Sequence, residues 1–130
     1  MIQGPLYHVC QAESLQLAVG EAARVLKSGA LLFAAAINRL SYLRDLLRFA
    51  PPIGYAHLST AAAMRELLAP AFTEVALAGI ESFSSAWQAR LNDLPAEEAE
   101  AWLDLIERTG ETAEGLGCSD HFLYVGRKAG

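Results

Sequence analysis

The sequence predicts a single α/β domain, and three observations carry that expectation. Segments with apolar residues at helical spacing alternate with short apolar runs of strand length, the pattern of βα units rather than of a bundle or an all-β sandwich. The run Ala30–Ile37 is apolar throughout and begins directly after a helix stop, as a strand buried on both faces does. The chain has 130 residues, which suits one core, so residues 1–130 are read as one domain.

Each element follows in order. From Ser14 to Lys27, Leu15, Ala18, Ala22, Val25 and Leu26 recur at helical spacing, and Gly29 stands where a left-handed stop belongs. The strand Ala30–Ile37 comes next. Asn38 or Ser41 caps a second helix with Leu40, Leu43 and Leu47 in one stripe, and Pro51-Pro52 stops it. Phe49 to His57 reads as a loop, after which Ser59 or Thr60 caps a short helix whose Met64, Leu67 and Leu68 share a face. A less buried strand runs roughly from Thr73 to Ile80. Ser84 or Ser85 starts a helix carrying Trp87 and Leu91; Pro95, Glu97 and Glu98 open another, with Ala99, Trp102, Leu103 and Ile106 on one side. A glycine-rich connection, Glu111 to Gly117, leads to a last strand from His121 to Val125 that ends in Gly126-Arg127-Lys128.

Composition removes several classes of function. With 10 basic against 15 acidic side chains and no Lys/Arg cluster, the chain lacks the footprint of a phosphate-backbone binder, so no nucleic acid is expected. Its longest apolar run is less than half of the roughly 20 residues that cross a bilayer, and its start has no basic segment followed by an apolar one. No membrane is expected, and the location is read as cytoplasmic. The 53 % hydrophobic content and mean hydropathy of +0.23 suggest a face hidden by another subunit. Cys10 and Cys118 belong to no Cys-x-x-Cys pair, so no metal site is expected and both read as buried thiols. Ser119, Asp120 and His121 are strand neighbours pointing to alternate faces, which forbids a nucleophilic triad among them.

Two stretches, Gly4-Pro5-Leu6-Tyr7-His8-Val9 and Glu21-Ala22-Ala23-Arg24-Val25-Leu26-Lys27-Ser28-Gly29-Ala30-Leu31-Leu32-Phe33, resemble the second half of a class I S-adenosylmethionine-dependent methyltransferase. Ser28 and Ala30 replace the family's usual Pro and second Gly. The His57-Leu58-Ser59, Ala71-Phe72-Thr73-Glu74-Val75 and Tyr124-Val125-Gly126-Arg127-Lys128 segments agree with it too, so the resemblance spans the chain. It implies a partial Rossmann-like methyltransferase fold: a three-stranded mixed sheet in the family's order five, seven, six, with the last strand antiparallel and about five helices. The family's glycine-rich loop and its ribose-binding acid have no counterpart here, so S-adenosylmethionine is expected only if an amino-terminal half is supplied.

The resemblance places Tyr7 and His8 beside the methyl donor and acceptor, His8 as a candidate base. Asn38 and Arg39 follow the fifth strand, where ligand-contacting groups sit, although helix capping by Asn38 and solvation of Arg39 account for them more simply. Trp87 and Trp102 are candidates for the wall of an apolar acceptor pocket, against the alternative of core packing. The first reading of function is a non-catalytic interaction or small-molecule-binding module. The alternative is the acceptor-side half of a split or truncated methyltransferase acting on a small molecule. Either way a homodimer or a partner polypeptide is expected at the Ala30–Ile37 strand edge or the adjacent apolar face, together with a small apolar ligand.

Overall fold

A computed structural model describes residues 9, 11–49 and 57–130 of the chain. Tyr7, His8 and Cys10 lie outside them, and so do the expectations placed on those residues. The described residues form an α/β structure with six helices, one 3-10 turn and one four-stranded mixed sheet.

The order is α1 (Ala12–Val25), β1 (Leu31–Asn38), α2 (Arg39–Phe49), β2 (Leu58–Ser59), α3 (Ala61–Leu68), β3 (Phe72–Gly79), the 3-10 turn Ser82–Trp87, α4 (Gln88–Asn92), α5 (Ala96–Gly110), α6 (Ala113–Cys118) and β4 (His121–Lys128). Across the sheet the strands run β2-β1-β4-β3. β4 is antiparallel to both neighbours, and β2 is parallel to β1. The three long strands were legible in the sequence, whereas β2 adds a fourth. It is only two residues long and carries no periodicity of its own; it pairs Leu58 and Ser59 with Ile37 and Asn38. Leu31 to Ala36 have no strand partner on that side among the described residues.

One face of the sheet is the core. Leu32, Ala34 and Ala36 of β1 alternate inward with Phe122 and Tyr124 of β4 and Leu77 of β3, packed with Leu15 and Val19 of α1 and Met64 and Leu68 of α3. The other face of β1 is only half-buried, so the expected two-sided burial holds on one side. β3 carries a bulge between Glu74 and Ala76, which leaves Val75 exposed and breaks the alternation expected there.

Local chemistry sets the boundaries. Gly29, at φ +77°, makes the turn into β1, which a side chain would strain. Thr60 caps α3 by accepting the Ala63 N–H, and Thr112 caps α6 by accepting the Gly115 N–H. That second cap turns the expected glycine-rich connection into a helix: Gly115 is needed because a Cβ there would stand 1.9 Å from the Thr109 carbonyl oxygen. The helix expected from Ser84 begins instead as the 3-10 turn at Ser82.

α2 is rotated relative to expectation. Leu40, Leu43 and Leu47 are exposed, while Ser41 and Arg44 face the molecule, because the polar side of the helix is tied to the α6–β4 link. Cys118, expected to be buried, is an exposed free thiol. Among the described residues no helix is long and apolar enough to cross a membrane, and no cluster of three metal-ligating side chains occurs.

Candidate functional site

The carboxyl ends of β1 and β3 meet the start of β4, and the buried polar side chains Asn38, Ser41, Ser82, Ser84 and Ser119 lie on or next to these segments. Asn38 ends β1 and is buried. Its amide donates to the carbonyls of Ser119 at 2.7 Å and Leu116 at 3.3 Å, and its Oδ1 accepts the Leu40 N–H as the cap of α2. Every polar atom of the side chain is thus engaged within the protein, which makes Asn38 a clamp between β1 and the α6–β4 link. Arg39 is exposed beside it. Arg44 completes the clamp, pairing with Asp120 and donating to the Cys118 carbonyl.

On the other side of β4 lies a group that the sequence did not single out. Glu81 follows β3, and its Oε1 meets His121 Nδ1 at 2.6 Å. Oε2 accepts the His121 backbone N–H at 2.9 Å and faces the Ser119 hydroxyl at 2.7 Å. Burial pushes the Glu81 carboxyl up, but the hydrogen bonds from His121 and Ser119 outweigh it and bring it from 4.5 down to about 2. The same bond to Glu81 raises His121 above its ordinary 6.5 against the opposing effect of burial, with Asp120 adding to the rise. Ser119 faces the carboxylate rather than the imidazole and Asp120 is taken by Arg44, so the three neighbours form no triad, as strand geometry requires.

Glu81 also anchors the turn that leads into a cleft. Its carbonyl accepts both the N–H and the hydroxyl of Ser84, at 2.9 and 2.7 Å. Between the two, Ser82 is fully buried at φ +50°, a conformation that costs a non-glycine residue free energy. It is held by its hydroxyl, which bonds that of Thr109 on α5 at 2.9 Å. Since the Thr109 proton goes to the Leu105 carbonyl at 2.8 Å, Ser82 is the donor.

The cleft itself has a volume of about 490 Å³ and lies between the 3-10 turn with α4 and the first turns of α5. Phe83, Trp87, Leu91, Leu94 and Trp102 supply its apolar walls; Arg90 and Glu98 bring one charge of each sign. Phe83 and Trp102 pack edge to face at 6.2 Å between ring centroids. Trp87 and Trp102 are 64 % and 44 % exposed, so neither indole belongs to the core, and both candidates from the sequence meet in one concavity. Phe83 carries no sign of this role in the sequence, because a six-residue 3-10 turn shows no 3.6-residue period, and Arg90 and Leu94 sit on a five-residue helix and the link after it, too short to show one either.

The one Gly-x-Gly pair among the described residues, Gly115-Leu116-Gly117, lies on α6, where Gly115 is spent on contact with the Thr109 backbone. No protein-family model matches the chain, and no curated protein matches it.

Proposed function

We propose that this chain is a methyltransferase-like α/β unit that binds a small, flat, predominantly apolar molecule in the cleft between the 3-10 turn and α5, with no cofactor site of its own among the described residues. The cleft carries the reading. Two half-exposed indoles and a phenyl ring lining one concavity leave apolar surface in contact with water, and a planar ligand would remove it. Its volume suits a molecule of one to three fused rings, and Arg90 and Glu98 offer a partner to a single polar substituent of either sign.

Titration calorimetry with 2-naphthol tests this. The expected result is saturable binding of one molecule per chain with a negative heat-capacity change, weakened about tenfold or more by Trp102→Ala. Absence of saturable heat, or binding indifferent to Trp102, would overturn the proposal.

A second reading is the acceptor-side half of a class I methyltransferase. It is favoured by the strand order β1-β4-β3 with β4 antiparallel, the arrangement that the resemblance implies for that half. Both readings share the cleft and differ in whether another polypeptide completes the unit. Association with a second copy or a partner through the β1 edge or the exposed Leu40, Leu43 and Leu47 face belongs to both.

A further inference from the structure

We infer that the occupant of the cleft is an organic cation, a flat molecule with its charge on an alkylated nitrogen, held against the rings of Phe83, Trp87 and Trp102 with Glu98 as its counter-ion. The inference rests on the proposed reading of the cleft as a small-molecule site and adds the sign and chemical class of the ligand.

The rings supply the first argument. The planes of Phe83 and Trp102 are inclined at 65° with their centroids 6.2 Å apart, and Trp87 brings a third ring to the same concavity. An edge-to-face pair engages only one face of one ring, so the other faces stay available to an occupant, and all three side chains are exposed. The face of an aromatic ring is the negative side of its quadrupole. It attracts a cation within about 6 Å of the centroid, most strongly for Trp, and it repels an anion. Two indoles and a phenyl ring around one space therefore select by sign as well as by shape.

The charges supply the second. Arg90 of α4 and Glu98 of α5 both line the cleft, and among the described residues no ion pair joins them. From Arg90 to Trp102 the chain carries Asp93, Glu97, Glu98 and Glu100, all exposed, against the guanidinium of Arg90 alone. Four carboxylates less one guanidinium place three of the chain's five net negative charges on this stretch. The positive end of α5 offsets only about half a charge. A concave site within such a field concentrates ions of the opposite sign, here cations. The apolar walls decide which kind. With Leu91 and Leu94 completing the lining, a primary ammonium would leave strongly hydrated N–H donors without acceptors, whereas an alkylated nitrogen has no N–H to satisfy and packs its carbons against the rings.

Titration calorimetry at neutral pH compares three bicyclic probes of similar shape: the cation 1-methylquinolinium, uncharged quinoline and the anion 2-naphthoate. The cation is expected to bind about tenfold more tightly than quinoline, the anion more weakly than quinoline, and the cation to displace 2-naphthol from the same cleft. Raising the ionic strength should weaken the cation and leave quinoline nearly unchanged, a readout that needs no variant. Glu98→Gln, on an exposed side chain, should cut the advantage of the cation about threefold while quinoline binds as before. Equal affinity for cation and quinoline, tighter binding of the anion, a cation that fails to displace 2-naphthol, or a preference that Glu98→Gln leaves intact overturns the inference and spares the cleft. Absence of saturable binding by every probe, 2-naphthol included, overturns both.

Discussion

The side chains of Asn38 and Glu81 do the same physical work at two places: each satisfies several buried or half-buried backbone and side-chain groups. Truncating Asn38 to alanine leaves the Ser119 and Leu116 carbonyls without donors, and each buried unsatisfied acceptor costs roughly 1–3 kcal/mol. Urea denaturation of Asn38→Ala should therefore show a midpoint shift equivalent to about 2 kcal/mol at unchanged slope; Arg39→Ala, on an exposed neighbour, should leave the midpoint in place. For Glu81 and His121 the expectation concerns pH. A carboxyl lowered from 4.5 to about 2 contributes stability that is present above 4.5 and lost as the pH falls toward 2. An imidazole raised above 6.5 contributes stability that is present below 6.5 and lost as the pH rises through its raised value. Stability should peak between these limits, and Glu81→Gln should flatten both limbs when thermal unfolding is followed across pH. The sequence marked Asn38, Trp87 and Trp102 by their positions relative to strands and helices. It gave no sign of Glu81, because a carboxylate directly after a strand looks like any solvated turn residue until the fold brings His121 beside it, 40 positions away.

Among the elements, α6 shows where sequence and structure part. Glycines at 115 and 117 argued for a connection, but the Thr112 cap and the close approach of Gly115 to Thr109 decide for a helix. The two glycines are consequently unequal. Gly117→Ala meets nothing within 4 Å and should stabilise α6 by up to about 1 kcal/mol, the usual preference for alanine over glycine in a helix. Gly115→Ala, placing a Cβ 1.9 Å from a carbonyl oxygen, should destabilise instead and move α5 against α6. Calorimetric unfolding of the pair separates them. Long elements were legible because burial imposes a period: β1, β3, β4, α1 and α5 all lie within two residues of where spacing puts them. Short ones were not, since β2 exists only through its pairing with Ile37 and Asn38. The orientation of α2 departs from its leucine spacing for a related reason. Three leucines at helical spacing predict an inward stripe, but Asn38, Ser41 and Arg44 bind the helix by its polar side and turn Leu47 out to 91 % exposure.

At the scale of the molecule, the open stretch of the β1 edge and the outward leucines of α2 lie close in sequence, which is the basis for expecting association. Because Leu32 and Ala34 belong to the core, the informative substitution is on α2: Leu43→Lys with Leu47→Lys should lower the mass seen by light scattering while leaving thermal unfolding nearly unchanged. A wild-type chain that scatters as a monomer contradicts the expectation of association. The cleft carries its own reporters, since the chain's only two tryptophans both line it. The most direct measurement is a two-dimensional NMR titration of the two indole N–H resonances with 2-naphthol. Both resonances are expected to move together, saturate at one ligand per chain, and lose the response when Leu91 in the cleft wall is replaced by Glu. Indole resonances that stay still while ligand is added, or that drift without saturation, would contradict small-molecule binding at the cleft.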